Sequence, residues 1–327
     1  MEENFRFESL DLKDKKILFE LDFNARMPYS VLGRKVGLSK QGAEYRVQNL
    51  IKRGIIKGFY PIVNVPKLGY IYCRLSLTLQ NITMEKKKEI VKYLQDNPKV
   101  FWLLDVQGIC DIFIVIWAKS LTEFREFIEE VENRFGGYIK ETSDTIGTDV
   151  IHFRHRYLLG KEKTEEIHIA ETQDRINIDR IDQEILLLLC EDARISLVNI
   201  AQKVKESAKL VAYRIRKMEE KGLIEGYRPI IDHNIIGYTY YKIFISLNNI
   251  SKGSLKELRD YIKQNHSLIY IVEGIGFRCD LDIELMVKSN QELFKFMEEL
   301  RYKFPELIGE YQNVVFMNTL KVRYLPF

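Results

Sequence analysis

The chain has 327 residues, 46% hydrophobic and 30% charged, with a net charge of +3; this excludes a wholly disordered chain and allows two or more domains. The most apolar run, Ile109 to Ala118, is broken by Asp111, and the start Met1-Glu2-Glu3-Asn4 lacks the basic and apolar parts of a signal peptide, so neither a membrane span nor secretion is expected. Cys73, Cys110, Cys190 and Cys279 form no CxxC pair, which implies a cytoplasmic protein with reduced thiols, no metal site and no cofactor motif.

Self-similarity organises the chain. Asp14 matches Asp182, an offset of 168, and the register holds without a gap to Ile82 and Ile250. Ile17-Leu18, Ala25-Arg26, Ser39, Tyr45-Arg46, Gly54 and Gly69-Tyr70 recur as Ile185-Leu186, Ala193-Arg194, Ser207, Tyr213-Arg214, Gly222 and Gly237-Tyr238. Beyond Gly108 and Gly276 the offset becomes 169, a one-residue insertion in copy two. So long a period is a duplication, not a solenoid. The polar stretch from Lys161 to Asn177 reads as a linker that tethers the copies without fixing their geometry.

Each copy begins with three predicted helices. Leu12, Ile17, Leu18 and Leu21 form a helical stripe over 12–23. Pro28 starts a second helix, Tyr29 to Val36, which Gly37 ends. Ser39 caps a third, Lys40 to Arg53, stopped by Gly54. Copy two repeats the order over Ile181–Glu191, Leu197–Val204 and Ala208–Lys221, with Ser207 as cap. Short strands follow at 55–59 and 223–227. This is a helix-turn-helix with a wing.

In the third helix Ala43, Val47 and Leu50 should be core. The opposite side shows Gln41, Tyr45, Gln48 and Lys52, flanked by Lys40 and Glu44. In copy two Val211, Ile215 and Met218 should be core, leaving Lys209, Tyr213, Arg216 and Lys217 outward. A polar, aromatic and basic surface at a helix start is what a major-groove reader presents. Arg46 and Arg214 either touch phosphate or pair with Asp14 and Asp182. The charge is uneven: residues 11–60 carry +6 and 179–230 only +1, although both third helices carry +3. Phosphate attraction should favour copy one, and two unlike heads predict an imperfect palindrome as the DNA site.

Each copy then continues as βαββαβ, the ferredoxin-like order. Ile71, Cys73, Leu75, Leu77 and Leu79 alternate with polar residues, as a half-buried strand does. A helix around Ile90–Leu94, strands at 100–106 and 111–118, a helix from Leu121 to Phe135 and a last strand near 139–145 complete the unit. Copy two ends with a strand near 308–316. Ile112, Ile114 and Ile116 fill one side of the third strand and Phe113, Val115 and Trp117 the other, so a second sheet should pack there, which predicts dimerisation. The copy-two counterpart carries an acidic row, Asp280, Asp282 and Glu284: a site for a cation or amino group, a solvated face, or ion pairs to Lys242.

These residues resemble the Lrp/AsnC, or feast/famine, family of transcription regulators. The carrying stretches are LDLKDKKIL at 10–18, AR at 25, SKQGAEYRV at 39–47, GIIKGF at 54–59 and GICD at 108–111, with IDRIDQEIL, AR, SAKLVAYRI and GLIEGY in copy two. The resemblance implies an α+β chain with two (winged) helix-turn-helix domains and two ferredoxin-like regulatory domains: 1–62, 63–158, a linker at 159–177, 178–230 and 231–327. It further implies double-stranded DNA as partner, self-association through the regulatory sheets, and an amino-acid effector near Gly108 and Asp111, with Gly276 and Asp280 as counterparts across the copy-two insertion. One chain then approximates a fused family dimer.

Two alternatives differ in class. Siroheme decarboxylases look like this family and occur as paired or fused halves, but they need histidines in a polar, aromatic pocket. None of His152, His155, His168, His233 and His266 is expected in a sheet strand, and His152 and His155 read as a surface pair. A ligand sensor without DNA binding is favoured only if the helix faces are inert.

Overall fold

The computed structural model describes residues 7–161, 163–170, 172, 174–276 and 280–327. In the first half the elements are α1 (Leu12–Leu21), α2 (Tyr29–Val36), α3 (Lys40–Lys52), β1 (Ile56–Val63), β2 (Ile71–Leu79), α4 (Met84–Asp96), β3 (Val100–Gly108), β4 (Ile112–Ala118), α5 (Leu121–Phe135), β5 (Ile139–Phe153) and β6 (Glu166–Ala170). The second half continues with α6 (Arg180–Glu191), α7 (Leu197–Val204), α8 (Ala208–Glu220), β7 (Ile224–Ile231), β8 (Thr239–Leu247), α9 (Lys252–Ile262), β9 (Leu268–Gly276), β10 (Leu281–Val287), α10 (Asn290–Lys303) and β11 (Ile308–Val322). The chain divides into two compact units, and each draws on both halves. One combines Met1–Asn64, Phe153–Ile167 and Ile176–Thr239; the other combines Val65–His152, His168–Arg175 and Tyr240–Phe327.

The first unit holds both helix-turn-helix motifs, and side-chain caps place their helix starts. Asp11 accepts from the Asp14 amide and Asp179 from the Asp182 amide, each satisfying an amide that the helix leaves open. Gly37 closes α2 in the left-handed conformation at φ 68°. Lys205 takes that place in copy two at φ 57°. The wings β1 and β7 pair with each other, antiparallel, from Ile56↔Ile231 to Val63↔Ile224. Arg26 donates to the carbonyls of Ala193 and Ile195, and Arg194 to those of Ala25 and Met27. The repeated Ala-Arg pair is thus a reciprocal latch between the two heads.

The second unit holds both βαββαβ motifs. Among its described residues the strand order is β2-β4-β3-β11-β8-β10-β9-β5-β6, with β2 also pairing to β5. All but β6 therefore close into a ring. The long strands join the halves. β5 pairs with β2 through residues 139–147 and with β9 of copy two through 145–152. β11 pairs with β8 through 308–315 and with β3 of copy one through 314–322. Both strands run well past the expected ends near 145 and 316, because their second halves find partners only in the other copy. The expected linker also differs: part of it, Glu166–Ala170, is the strand β6, which joins this sheet and satisfies its own backbone there.

Each face of β4 is covered, as its double apolar pattern requires. Ile112, Ile114 and Ile116 pack with Ile90, Leu94, Phe127 and Val131 on the helix side. Phe113 and Val115 pack with Leu104 and Val106, and with Val314 and Phe316 of copy two. In place of the expected second sheet, this face turns into the ring of strands, where copy two helps to cover it.

Candidate nucleic-acid interface

Helix α3 follows Ser39, whose Oγ accepts from the Gly42 amide at 3.0 Å. Ala43, Val47 and Leu50 are fully buried. Lys40, Gln41, Glu44, Tyr45, Gln48 and Lys52 are exposed, Tyr45 at 72%. Positions 41, 45, 48 and 52 follow the helical repeat and form one stripe. Helix α8 repeats the plan. Ser207 accepts from the Leu210 amide at 3.2 Å, and Val211, Ile215 and Met218 are buried. Lys209, Tyr213, Arg216 and Lys217 are exposed, and the Lys217 ammonium lies 5.8 Å from the centre of the Tyr213 ring.

Arg46 and Arg214 are paired with carboxylates, one of the two arrangements expected for them. Arg46 pairs with Asp11 and Asp14 at 2.7 and 2.8 Å, and Arg214 with Asp179 and Asp182 at 2.7 and 2.9 Å. Each arginine ties its helix to the capped start of the first helix of the same motif.

A buried polar cluster underlies the same unit. Asp22 and Arg228 are fully buried and paired, with Arg228 Nε 2.6 Å from the Asp22 carboxylate. The His155 amide donates to that carboxylate at 2.7 Å. Tyr157 Oη lies 2.8 Å from His233 Nδ1. Burial disfavours the charged carboxylate, but Arg228 and His155 outweigh it and hold Asp22 below the usual carboxylate range. Burial pushes His155 down to about 4, and His233 is also held low. This corrects the expected surface pair: His155 is only 6% exposed. His152 lies on β5 and His168 on β6, where a histidine-free sheet was expected. His152 stacks edge-on to Tyr270, and His168 Nδ1 is 2.7 Å from Asp149. The short spacing of His152 and His155 gave no hint of this, because the groups around His155 include Asp22, just after α1, and Arg228 on β7.

The four residues expected at effector sites are engaged by the ring of strands. Asp111 accepts from the Leu79 amide and Asp280 from the Leu247 amide, both at 2.7 Å, which ends the first strand of each βαββαβ motif. Gly108 and Gly276 sit at φ 144° and 139° where β3 meets β11 and β9 meets β5. A Cβ on Gly276 would lie 2.6 Å from the Asp144 carbonyl oxygen. Gly276→Ala is therefore expected to lower stability by about 1–3 kcal/mol in urea unfolding, and an unchanged midpoint would contradict this role. Residues 277–279, which hold the one-residue insertion, lie outside the described residues, and with them Cys279. Burial pushes the thiols of Cys73, Cys110 and Cys190 up to about 12, which makes them inert. The acidic row is resolved in favour of ion pairs. Lys242 bridges Asp282 and Glu284 at 2.9 Å each, Arg74 of copy one pairs with Asp282, and Tyr240 donates to Glu284.

A family model described as winged helix-turn-helix DNA-binding matches residues 10–57 and 178–225. An HTH-type transcriptional regulator of Pyrococcus furiosus is 32% identical over 141 residues, which are 43% of this chain and 93% of its own. The HTH-type transcriptional regulator LrpA of Pyrococcus horikoshii is 30% identical, over 40% of this chain and 92% of its own. The chain belongs to the Lrp/AsnC family. Each of these relatives matches less than half of it, as expected where the Lrp/AsnC unit occurs twice. A crystal structure of the siroheme decarboxylase NirDL matches 96% of this chain and 94% of its own with a TM-score of 0.62 at 14% identity, a likeness of fold. Among the described residues no helix is long and apolar enough to cross a membrane.

Proposed function

We propose that this Lrp/AsnC protein is a sequence-specific, double-stranded DNA-binding transcription regulator in which one chain supplies both reading heads of a family dimer. Residues 1–62 and 178–230 are the DNA-binding parts in this reading, and 63–158 and 231–327 the regulatory parts. The observation that carries it is the pair of capped helices α3 and α8, each with an exposed tyrosine between polar or basic side chains. Both belong to one unit that wing pairing and the Arg26 and Arg194 latches hold together. The reading is of a regulator rather than an enzyme, supported by family membership and by the exposed helix faces; a Soret band on incubation with an iron tetrapyrrole would count against it.

The test is fluorescence anisotropy with a selected duplex. Tyr45→Ala or Gln41→Ala is expected to weaken binding by about 1–3 kcal/mol each. Lys52→Ala should weaken it alike across sequences and lower the slope of log affinity against log salt by about 1. Unchanged affinity in all three would remove α3 from the interface. An amino acid remains the effector class, tested by calorimetry: a saturable heat from one standard amino acid supports it, and silence from all of them marks an effector-free regulator.

A further inference from the structure

The two reading stripes occupy the same helical positions but carry different chemistry. At the offset of 168, Gln41 corresponds to Lys209 and Gln48 to Arg216, while Tyr45 corresponds to Tyr213. All six are exposed and follow the same serine-capped start. A glutamine amide offers one donor and one acceptor, the pattern that matches adenine N7 and N6 in the major groove. Lysine and arginine are donors only and match the paired acceptors O6 and N7 of guanine. The tyrosine is common to both heads and adds no asymmetry. Arg216 is free to turn toward a base: its contact with Glu220 is 3.9 Å long, and both side chains are about two-thirds exposed, 68% and 70%, so little holds it.

We infer that the operator has two chemically unlike half-sites. Copy one reads adenine through Gln41 and Gln48, and copy two reads guanine through Lys209 and Arg216. This rests on the DNA-binding reading above and specifies its target. It also gives the fused chain a property that a dimer of identical chains lacks: the protein has a direction on its site, with head one always on the A·T half. The β1–β7 pairing holds one copy of each head in a single unit, which keeps that direction.

The test is selection of bound duplexes from a randomised library with the full chain, its Gln41→Ala/Gln48→Ala variant, its Lys209→Ala/Arg216→Ala variant and a conversion variant, Gln41→Lys/Gln48→Arg. The wild type should return two unlike halves, with A·T pairs read in one and G·C pairs in the other. The glutamine variant should lose discrimination, about 10-fold or more, in the A·T half alone, and the Lys209/Arg216 variant in the G·C half alone. The conversion variant should return two G·C halves, a gain that a misfolded protein cannot mimic. Enriched sites with identical halves, or glutamine variants that relax the G·C half, overturn the inference and leave DNA binding standing. No enrichment from a chain with native circular dichroism overturns the DNA reading and this inference with it.

Discussion

Replacing Lys242 by methionine is expected to lower the free energy of unfolding by about 3–5 kcal/mol, the cost of removing one partner from a buried charge network. Lys242, Asp282, Glu284 and Arg74 are all buried. Burial opposes the Lys242 charge, but Asp282 and Glu284 outweigh it and hold the amine above the usual lysine range. Without it Glu284 retains the Tyr240 hydroxyl and Asp282 the Arg74 guanidinium, but each carboxylate loses its contact with the ammonium. The loss should appear in urea unfolding as a lower midpoint at unchanged slope and should respond little to salt, since the pair is shielded from the counterion atmosphere. Replacing all four charges by apolar residues of similar volume should recover most of it. A loss below about 1 kcal/mol would mean that the network is hydrated and behaves as a surface pair.

Acid is expected to destabilise the other unit through the cluster around Asp22. His155 titrates at 6.5 when exposed and at about 4 in the fold. Its folded form resists the proton that the unfolded chain takes up, so stability is full above pH 6.5 and declines as pH falls toward 4. The loss is on the order of 3 kcal/mol for His155, and His233 acts in the same direction. Asp22, held low, contributes in a separate window, losing its stabilisation only below the usual carboxylate range. Arg228 and Tyr157 face the same groups, and burial holds the Tyr157 hydroxyl well above its ordinary range, so it stays neutral throughout. His155→Gln should flatten the decline between pH 6.5 and 4, while Arg228→Met should cost about 3–5 kcal/mol at neutral pH by stranding Asp22. An acid profile unmoved by His155→Gln would show that the ring is not sealed from water.

What could be read from the residues alone follows from how local the causes are. Ser39, Ser207, Gly37, Gly54 and Gly222 mark helix ends through hydrogen bonds and backbone angles within a few residues, so α2, α3, α7 and α8 were legible almost to the residue. The exposed stripe at 41, 45, 48 and 52 follows from helix periodicity alone. The ends of β5 and β11 were not legible, because Thr148–Phe153 and Met317–Val322 become strand only where the other copy offers its edge. Arg74 looked like the solvated side of a half-buried strand. It is 2% exposed because the ring of strands turns that side inward toward Asp282. Asp22, Arg228 and His155 are far apart in sequence and meet only through the heads' packing. The acidic row and Lys242 were legible as a pair because alternation on neighbouring strands fixes which residues face one another.

If one chain, as an internal dimer, places two unlike heads on one duplex, footprinting of a selected duplex with the chain at measured one-to-one stoichiometry should show it. A single chain is expected to protect both half-sites together, and Gln41→Ala/Gln48→Ala and Lys209→Ala/Arg216→Ala should each open a different half. Protection of one half-site per chain, with two chains needed to cover the site, would contradict it.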